Sequence, residues 1–313
     1  MIFPPTQFRT LQDAMLHFGD PQNCIQFMTS LRWPDGVLCP QCGCKDVWWI
    51  AARSLYQCKN RHPRRQFSLK SGTIFENSSI PLGKWLVVTW MLINCRNGIS
   101  SYEVARTVGI TQKSAWFLLH RLRHALNSPT GLLRGAVEVD ETYIGGKAKN
   151  KHFGRRGGSG RTRDAKTPVV GAVERGGRVV ARVTADVSPR SILPVLAQHV
   201  APKTTLYSDC FAAYDHVNKM PQKFDHRQIN HANGSYVVGD IHTNTIENFW
   251  SCLKRTLGGT YIAVRARHLT AYVAEQVFRF NHRRGFSEGE RFLNALCGTF
   301  GKRLTYRQLV GVS

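Results

Sequence analysis

The sequence predicts a mixed α/β protein in which a sheet domain follows two smaller modules. Short runs rich in Val and Thr, punctuated by Gly, recur from residue 135 onwards and are interrupted by a helical segment at 188–200. Helical periodicity dominates residues 81–126, whereas short aromatic runs with closely spaced cysteines fill residues 31–80. A succession of strands, a helix, a strand and further helices is typical of a mixed α/β sheet domain.

The charge balance favours a polyanionic partner. The 313 residues include 43 Lys and Arg against 20 Asp and Glu, which gives a formal net charge of +23. Because each neutralised phosphate releases counterions, a surplus of this size favours nucleic acid. An anionic membrane is the rival partner, but we find no continuous basic amphipathic helix, and a basic solubility surface is the alternative without any partner.

The apolar segments predict neither a membrane span nor a secretory signal. The longest apolar run, at 85–95, is far below the roughly 20 residues that a span requires. The opening MIFPPTQFRT has two prolines and no apolar core. The nine cysteines are spaced for metal binding and not for disulfides, so we expect a reducing, cytoplasmic setting and no membrane partner.

Four residues of the cysteine-rich segment have the spacing of a zinc ligand set. Cys39 and Cys42 form a C-x-x-C knuckle, and Cys58 and His62 follow after a short β segment. Thiolates and imidazole suit tetrahedral Zn²⁺, and so small a module needs a metal in order to fold. We choose His62 as the fourth ligand, with Cys44 as its competitor. A set of buried free cysteines is the alternative without metal.

Residues 98–126 match a helix-turn-helix. Ser100 and Glu103 fit a capping box, Gly109 ends the first helix, and Thr111 begins the second. The start of the second helix is the part of a recognition helix that reaches base edges, although an ordinary helical hairpin is the alternative. The predicted DNA contacts are Gln112, Lys113 and Ser114 at that start, and Arg121 and Arg123 as phosphate ligands.

A glycine-rich basic stretch, KAKNKHFGRRGGSGRTRDAK, spans residues 147–166. It is either a solvated loop or an arm that grips the phosphate backbone, and its charge density favours DNA contact. We therefore predict phosphate contacts for Arg155 and Arg156.

Acidic residues lie at the ends of two predicted strands and at the start of a predicted helix. GAVEVDETYIGG carries Asp140, TLYSDC ends in Asp209, and HTNTIENFWSCLKRT carries Glu247 in its first turn. Three such acids can converge on a pair of Mg²⁺ ions, which prefer oxygen ligands. Glu138 and Glu141 are candidate auxiliary ligands. A single Asp at a strand end, in contrast, is more often a turn or cap residue.

These motifs resemble the DDE transposases of bacterial insertion sequences. VDETYIGG, TPVVGAVERGG, YSDCFAAYD and HTNTIENFWSCLKRTLGGTY occur in that order, and CPQCGC, RHPRRQFSLKSGTIFE and FRFNHRR match as well. The resemblance covers roughly residues 10–285 and extends to the insertion sequence fifteen-ninety-five family, which carries an N-terminal zinc ribbon. It implies an RNase H-like core, and it places the catalytic triad and the downstream basic residue at Asp140, Asp209, Glu247 and Lys254.

The resemblance completes the predicted domain organisation, an α/β protein with an RNase H-like mixed sheet core preceded by a zinc ribbon and a helix-turn-helix domain. The predicted segments are an N-terminal helical lead-in at 1–30, the zinc ribbon at 31–80, the helix-turn-helix at 81–128, the RNase H-like DDE catalytic domain at 129–285 and a C-terminal tail at 286–313.

The function that the resemblance implies is DNA transposition. We expect the protein to bind the terminal inverted repeats of its insertion sequence, to expose 3′-hydroxyls by cleavage, and to join them to target DNA. Two Mg²⁺ (or Mn²⁺) ions and one Zn²⁺ are the expected cofactors. The expected setting is the bacterial cytoplasm, in association with the nucleoid. Since two DNA ends must be paired, we expect a homodimer or higher oligomer on double-stranded DNA.

Two rival functions belong to other classes. A zinc-ribbon transcription regulator would bind DNA without cutting it, so its carboxylates would be dispensable. A repair or recombination nuclease with the same core would cleave without preference for inverted repeats and would join no strands.

Overall fold

The structure is a computed structural model that describes residues 9–127, 131–145, 166–229 and 243–311. It contains two compact units. The first comprises residues 1–128 together with 284–313, and the second comprises residues 129–283.

The described helices and strands follow one another along both units. The helices are α1 (Leu11–Phe18), α2 (Pro21–Arg32), α3 (Leu82–Asn94), α4 (Ser101–Val108), α5 (Gln112–Leu126), α6 (Pro189–His199), α7 (Asn244–Thr256), α8 (Leu269–Asn281), α9 (Glu288–Cys297) and α10 (Tyr306–Val310). The strands are β1 (Val47–Ile50), β2 (Leu55–Cys58), β3 (Gln66–Phe67), β4 (Ala136–Ile144), β5 (Thr167–Glu174), β6 (Val179–Val183), β7 (Thr205–Asp209) and β8 (Asp225–Ile229). Among the described helices, none has the length and apolar character needed to span a bilayer.

Helix α3 forms the centre of the first unit. Every residue from Trp85 to Ile93 is buried, and a helix that is apolar on all sides must be covered on all sides. Helices α1, α2, α5 and α9 pack around it. The ring of Phe292, on α9, lies 5.3 Å from that of Trp90 and 6.1 Å from that of Phe27. The predicted C-terminal tail at 286–313 thus contains α9, which supplies part of this core.

Helices α4 and α5 form the predicted helical pair, with the predicted caps. The Ser100 hydroxyl accepts from the backbone N–H of Glu103 at 3.2 Å, and the Glu103 carboxylate accepts from the Ser100 N–H at 2.8 Å. Gly109 ends α4 with φ +61°, a left-handed conformation that favours glycine. The Thr111 side chain then caps α5 by accepting from Ser114 N–H at 3.2 Å.

The second unit is built on a five-stranded mixed sheet with the order β6–β5–β4–β7–β8. Strands β4, β7 and β8 are parallel, while β5 is antiparallel to both β4 and β6. Strands β4 to β7 coincide with predicted runs. Strand β8 was not predicted, because DHRQI lacks apolar alternation. Its place at the edge of the sheet, beside β7, explains that polar sequence.

Helices cover both faces of this sheet. On one face, Ile192 and Leu196 of α6 pack with Val137 and Val139 of β4. On the other face, α7 and α8 pack against β5 and β6. The side chains of α7 that form this contact are Ile246, Phe249, Trp250 and Leu253.

Helix α7 lies close to β5 at Gly171. A Cβ atom at this position would lie 2.6 Å from the Trp250 ring and 3.0 Å from the Ile246 side chain. Gly171 is paired with Asp140 across β4 and β5. The missing side chain thus lets α7 lie directly against the part of the sheet that carries Asp140.

Candidate active site and metal centre

Two acidic residues come together because β4 and β7 are parallel. Their pairing runs from Ala136 beside Thr205 to Glu138 beside Tyr207. Continuing the same register by two residues sets Asp140 of β4 beside Asp209, the last residue of β7. Asp209 ends β7, as predicted, whereas Asp140 lies in the middle of β4, so the prediction of a strand end is wrong for Asp140.

Helix α7 brings a carboxylate and an amine to the same place. Glu247 and Lys254 line one cavity of about 440 Å³ together with Asp140. The two α7 residues are seven positions apart, about two turns of helix, so they share one side of it. The remaining residues that line this cavity are Glu141, Thr142, Trp250 and Ser251.

The Asp140 carboxylate is held by two hydrogen bonds in a largely buried position. The indole N–H of Trp250 donates to Oδ2 at 2.9 Å, and the backbone N–H of Glu141 donates to Oδ1 at 2.8 Å. Burial raises the pKa of Asp140 to about 6, and the nearby charges of Asp209 and Glu247 contribute to the rise. This carboxylate is therefore costly to ionise unless a cation is present.

Glu141 is held from the opposite face of the sheet. The hydroxyl of Tyr214, a fully buried residue, donates to Glu141 Oε2 at 2.9 Å. Burial raises the pKa of Glu141 to about 7, and the charges of Asp140 and Asp209 add to this. Burial also raises the pKa of Tyr214 well above its ordinary value, so the phenol stays a hydrogen-bond donor. An auxiliary role of Glu141 at a metal stays a prediction.

The other two acids are oriented by local hydrogen bonds. Asp209 Oδ1 accepts from the backbone N–H of Phe211 at 3.1 Å. Glu247 Oε1 accepts from the hydroxyl of Thr243 at 3.3 Å. Each carboxylate is thus fixed by the turn or helix start that carries it.

The predicted zinc ligands converge in the first unit. One ligand atom from each of Cys39, Cys42, Cys58 and His62 lies within 4.8 Å of the others. Cys44 is outside this group, and its sulfur accepts from the backbone N–H of Asp46 at 3.3 Å. Of the two candidates for the fourth position, the structure brings His62 into the cluster.

The surroundings of these residues suit metal binding. His62 Nδ1 lies 2.8 Å from the Pro63 carbonyl oxygen, which can only accept, so Nδ1 carries the proton and Nε2 is left to bind a metal. Gly43, at φ +71°, allows the turn in which its N–H donates to the Cys39 carbonyl at 2.8 Å. A hydrogen bond from the Cys44 backbone lowers the pKa of Cys42 to about 7, which favours the thiolate.

The start of α5 is partly engaged within the helical pair. The Gln112 side chain donates to the Ser101 hydroxyl at 2.8 Å, and the Ser114 hydroxyl accepts from that of Thr111 at 2.9 Å. Lys113 is exposed, and its Nζ lies 5.4 Å from the centre of the Tyr306 ring. DNA contacts of Gln112, Lys113 and Ser114 stay a prediction.

The predicted phosphate contacts of Arg121 and Arg123 are wrong, because both side chains are buried. Their exposed fractions are 4% and 1%. Arg121 Nη2 donates to the Glu76 carbonyl at 2.6 Å, and its guanidinium lies 5.4 Å from the ring centres of Trp85 and Phe117. Helix α5 is packed by both α3 and α9, so even its basic positions face protein.

Basic residues elsewhere are better placed for a polyanion. On the ribbon, Lys45, Arg61 and Arg64 are exposed. Arg155 and Arg156 fall in the segment 146–165, outside the described residues, and their phosphate contacts stay a prediction.

Three residues have roles that sequence patterns did not indicate. Trp250 fits the apolar stripe of α7, yet its indole N–H donates a hydrogen bond to Asp140. Tyr214 lies far along the chain from Glu141, to which it donates. Glu138 is fully buried and accepts from the start of α7. Of these three, only Glu138 has a signal in the sequence. It alternates with apolar residues, which places it on the same face of β4 as Asp140.

Family comparisons agree with the two units. The family model described as an ISXO2-like transposase domain matches residues 132–281. The model described as a transposase zinc-ribbon domain matches residues 19–60.

Individual relatives point the same way. A protein of Halobacterium salinarum described as an uncharacterized protein in transposable element ISH50 is 28% identical over 268 residues, or 82% of this chain and 89% of the relative. An uncharacterized transposase-like protein of Haemophilus influenzae is 30% identical over 105 residues, or 34% of this chain and 82% of the relative. A chain in the cryo-electron microscopy structure of a simian T-cell lymphotropic virus intasome with the PP2A regulatory subunit B56 gamma has 14% identity and a TM-score of 0.29. That match covers 59% of this chain and 66% of the other.

Proposed function

Since this chain belongs to the IS1595 family of transposases, we propose that it cleaves the ends of its insertion sequence and joins them to target DNA by metal-dependent phosphoryl transfer. The observation that carries this proposal is the cavity lined by Asp140, Glu247 and Lys254. Burial raises the pKa of Asp140 to about 6, and the negative charge of Asp209 adds to the rise. Asp209 therefore lies near enough to Asp140 for the two charges to interact.

An RNase H-like core is the fold that we propose for the second unit. Its strand order, β6–β5–β4–β7–β8, combines an antiparallel meander of the first three strands with two parallel additions. Helices on both faces of the sheet support the same assignment.

The carboxylates suit a pair of Mg²⁺ or Mn²⁺ ions. Asp140, Asp209 and Glu247 offer the hard oxygen donors that these cations require. A bound pair of ions would polarise the phosphodiester and stabilise the charge of the leaving oxygen. In this arrangement Trp250 orients the Asp140 carboxylate through its 2.9 Å hydrogen bond, while Lys254 supplies a positive charge on the same side of α7 as Glu247.

DNA recognition is assigned to the first unit. We propose that the ribbon, folded around Zn²⁺ by Cys39, Cys42, Cys58 and His62, and the pair α4–α5, acting as a helix-turn-helix, bind the terminal inverted repeats. The exposed Lys113 and the exposed basic residues of the ribbon support this, because phosphate contacts supply much of the affinity for DNA. Pairing two DNA ends requires at least a dimer on DNA.

A cleavage assay tests this function. Wild type and Asp209→Ala are incubated with a labelled duplex that carries the inverted repeat flanking the gene, with Mg²⁺ and in zinc-containing buffer without Mg²⁺. We expect wild type to nick at the repeat tip only with Mg²⁺. The variant should bind the duplex but cut on the order of 1,000-fold more slowly, because several kcal/mol of transition-state stabilisation is lost.

A matched control is available on the neighbouring strand. Asp225 is about half exposed and pairs with Arg227 at 2.8 Å, so Asp225→Ala should cut as wild type does. Binding by all proteins without cutting under Mg²⁺ or Mn²⁺ would contradict the proposal and favour a DNA-binding regulator. Cleavage without preference for the repeat, and without strand joining, would favour a nuclease.

A further inference from the structure

A fully buried carboxylate holds the start of the helix that carries Glu247. Both oxygens of Glu138 are engaged. Oε2 accepts from the backbone N–H groups of Thr245 and Ile246 at 2.8 and 3.0 Å. Oε1 accepts from the Thr245 hydroxyl at 3.1 Å and from Arg175 Nε at 3.0 Å.

These bonds replace a cap that α7 does not provide itself. Thr243, the residue before the helix, makes no side-chain capping bond, and its hydroxyl is directed to Glu247. The N–H groups that Glu138 binds are those of the second and third helical residues, which a capping side chain ordinarily serves. A negative charge at this end of a helix is also favoured by the helix dipole. Strand β4 therefore supplies the cap across 107 residues of sequence.

The basic partner of Glu138 is itself held in place. Arg175 follows β5, and its backbone N–H donates to the Ala136 carbonyl at 3.0 Å. Its guanidinium lies 4.1 Å from the centre of the Tyr207 ring, and Tyr207 is the residue of β7 that pairs with Glu138. The carboxylate is thus held by Arg175, which follows β5, as well as by α7, while Tyr207 of β7 packs against the Arg175 guanidinium.

The same face of β4 contacts α7 a second time. Glu138 binds the start of the helix, and Asp140, two residues later, accepts from Trp250. Two steps along a strand advance about 6.7 Å, and the four steps along the helix from Ile246 to Trp250 advance about 6 Å. Since the two spacings agree, the helix is attached to the strand at two matched points, and Glu247 lies between them in sequence.

We propose that Glu138 is a positioning residue, which fixes α7 on the sheet and thereby sets Glu247 against Asp140 for metal binding. The metal-binding step rests on the proposed function. Glu138 is not an auxiliary metal ligand, because its oxygens are taken by backbone N–H groups, a hydroxyl and Arg175. Removing it should loosen the first turn of α7 and misplace one carboxylate of the metal site.

The test compares Glu138→Gln with Glu174→Gln in the full-length, zinc-loaded protein. Glu174 is a suitable control because it is also mostly buried, pairs with Arg178 at 3.5 Å and accepts from the Arg134 N–H at 2.7 Å, but makes no contact of this kind with α7. Hydrogen–deuterium exchange over residues 243–250, without Mg²⁺, reports the helix start. Titration with Mn²⁺, followed by its electron paramagnetic resonance signal, reports the metal site.

We expect Glu138→Gln to exchange the first turn of α7 at least about 10-fold faster and to bind Mn²⁺ about 10-fold more weakly, the lower end of the losses seen when residues that orient metal ligands are replaced. Glu174→Gln should lower the Tm without either change. In cleavage assays, the Glu138→Gln defect should shrink as Mg²⁺ is raised. Thr245→Val, which removes the hydroxyl bond to Glu138 Oε1, should show a smaller version of the same effects if Glu138→Gln folds too poorly to study.

Unchanged exchange and Mn²⁺ affinity in Glu138→Gln would overturn the proposal, as would equal changes in Glu174→Gln. Exchange is measured on the zinc-loaded protein without DNA, Mg²⁺ or Mn²⁺, so it tests the anchoring even if the protein never cuts DNA. Failure of wild type to bind Mn²⁺ would count against the proposed function, whereas unaltered exchange in Glu138→Gln would count against this inference alone.

Discussion

The zinc centre and the carboxylate site differ in how the chain assembles them. The four zinc-cluster residues come from a single segment, 39–62, and their ligand atoms already lie within 4.8 Å of one another. The carboxylate site draws on residues from 140 to 247, and it needs a parallel sheet and a helix to bring them together. If both sites bind metal as proposed, the local cluster needs its metal in order to fold, whereas the second site needs its fold in order to bind metal.

Removal of zinc should have the largest effect of all, and that effect should be confined to the zinc ribbon. We expect Cys58→Ser to lose the zinc equivalent and to unfold the ribbon, because structural zinc contributes about 10–16 kcal/mol in zinc-finger peptides. Elemental analysis and circular dichroism measure the two losses. Retained zinc and an unchanged spectrum would contradict the dependence of the ribbon on metal.

A finer test separates the two candidates for the fourth ligand. His62→Ala should release zinc at far lower chelator concentrations than wild type, because its Nε2 lies 3.5 Å from the Cys39 sulfur. Cys44→Ala, whose sulfur is outside the cluster, is the matched control and should hold zinc as wild type does. The reverse order would assign the position to Cys44.

The second site should lose chemistry and keep its fold when a carboxylate is neutralised. We expect Asp140→Asn to reduce cleavage on the order of 1,000-fold, since the amide is a poor ligand for a hard cation. Circular dichroism should remain that of wild type, because the amide oxygen can still accept from Trp250. A variant that cuts normally would exclude Asp140 from the reaction.

A substitution at the contact between α7 and β5 should have a smaller effect than loss of a carboxylate, and it should act through the structure. A Cβ at Gly171 would meet Trp250 at 2.6 Å, so Gly171→Ala should displace the ring that binds Asp140. We expect a loss of about 1–3 kcal/mol in the free energy of unfolding, as for other overpacked cores, and weaker Mn²⁺ binding. Chemical denaturation and metal titration measure these. Gly176→Ala is the control for glycine loss, since no atom lies within 4 Å of a Cβ there, although its φ of +74° adds some strain.

The smallest expected effect is a gain in the stability of Asp140→Asn over wild type that depends on pH. Burial raises the folded-state pKa of Asp140 from its ordinary 3.8 to about 6, so ionisation disfavours the folded protein. This cost is absent below the unfolded pKa, grows as pH rises towards 6, and is constant above it. In zinc-containing buffer without Mg²⁺, the Tm of Asp140→Asn should therefore exceed that of wild type by more at pH 7 than at pH 5. A difference that does not change with pH would contradict the burial of this charge.

The sequence predicted best what depends on neighbouring residues. The Ser100–Glu103 capping box, the left-handed Gly109 and the grouping of the zinc ligands all follow from short spacings, and the structure confirms them. Strands β4 to β7 were also predictable, because the sheet interior imposes apolar runs.

What the sequence could not predict depends on packing between distant elements. The sequence predicts phosphate contacts for Arg121 and Arg123 because charged residues usually face solvent, but α5 has no solvated side at these positions. The polar strand β8 and the partners of Glu138 have no signal in their own segments. Their roles come from the neighbour that the fold provides, which is β7 in the first case and α7 in the second.

The order of residues in the two units has a consequence for synthesis on the ribosome. The first unit consists of residues 1–128 and 284–313, so the sheet unit is an insertion within it. Helix α3 emerges early, yet Phe292, one of the rings that cover it, is made only after the whole inserted unit. We therefore expect the inserted unit to fold first and the N-terminal helices to wait with apolar surface exposed, which makes them the part of the nascent chain most prone to aggregation.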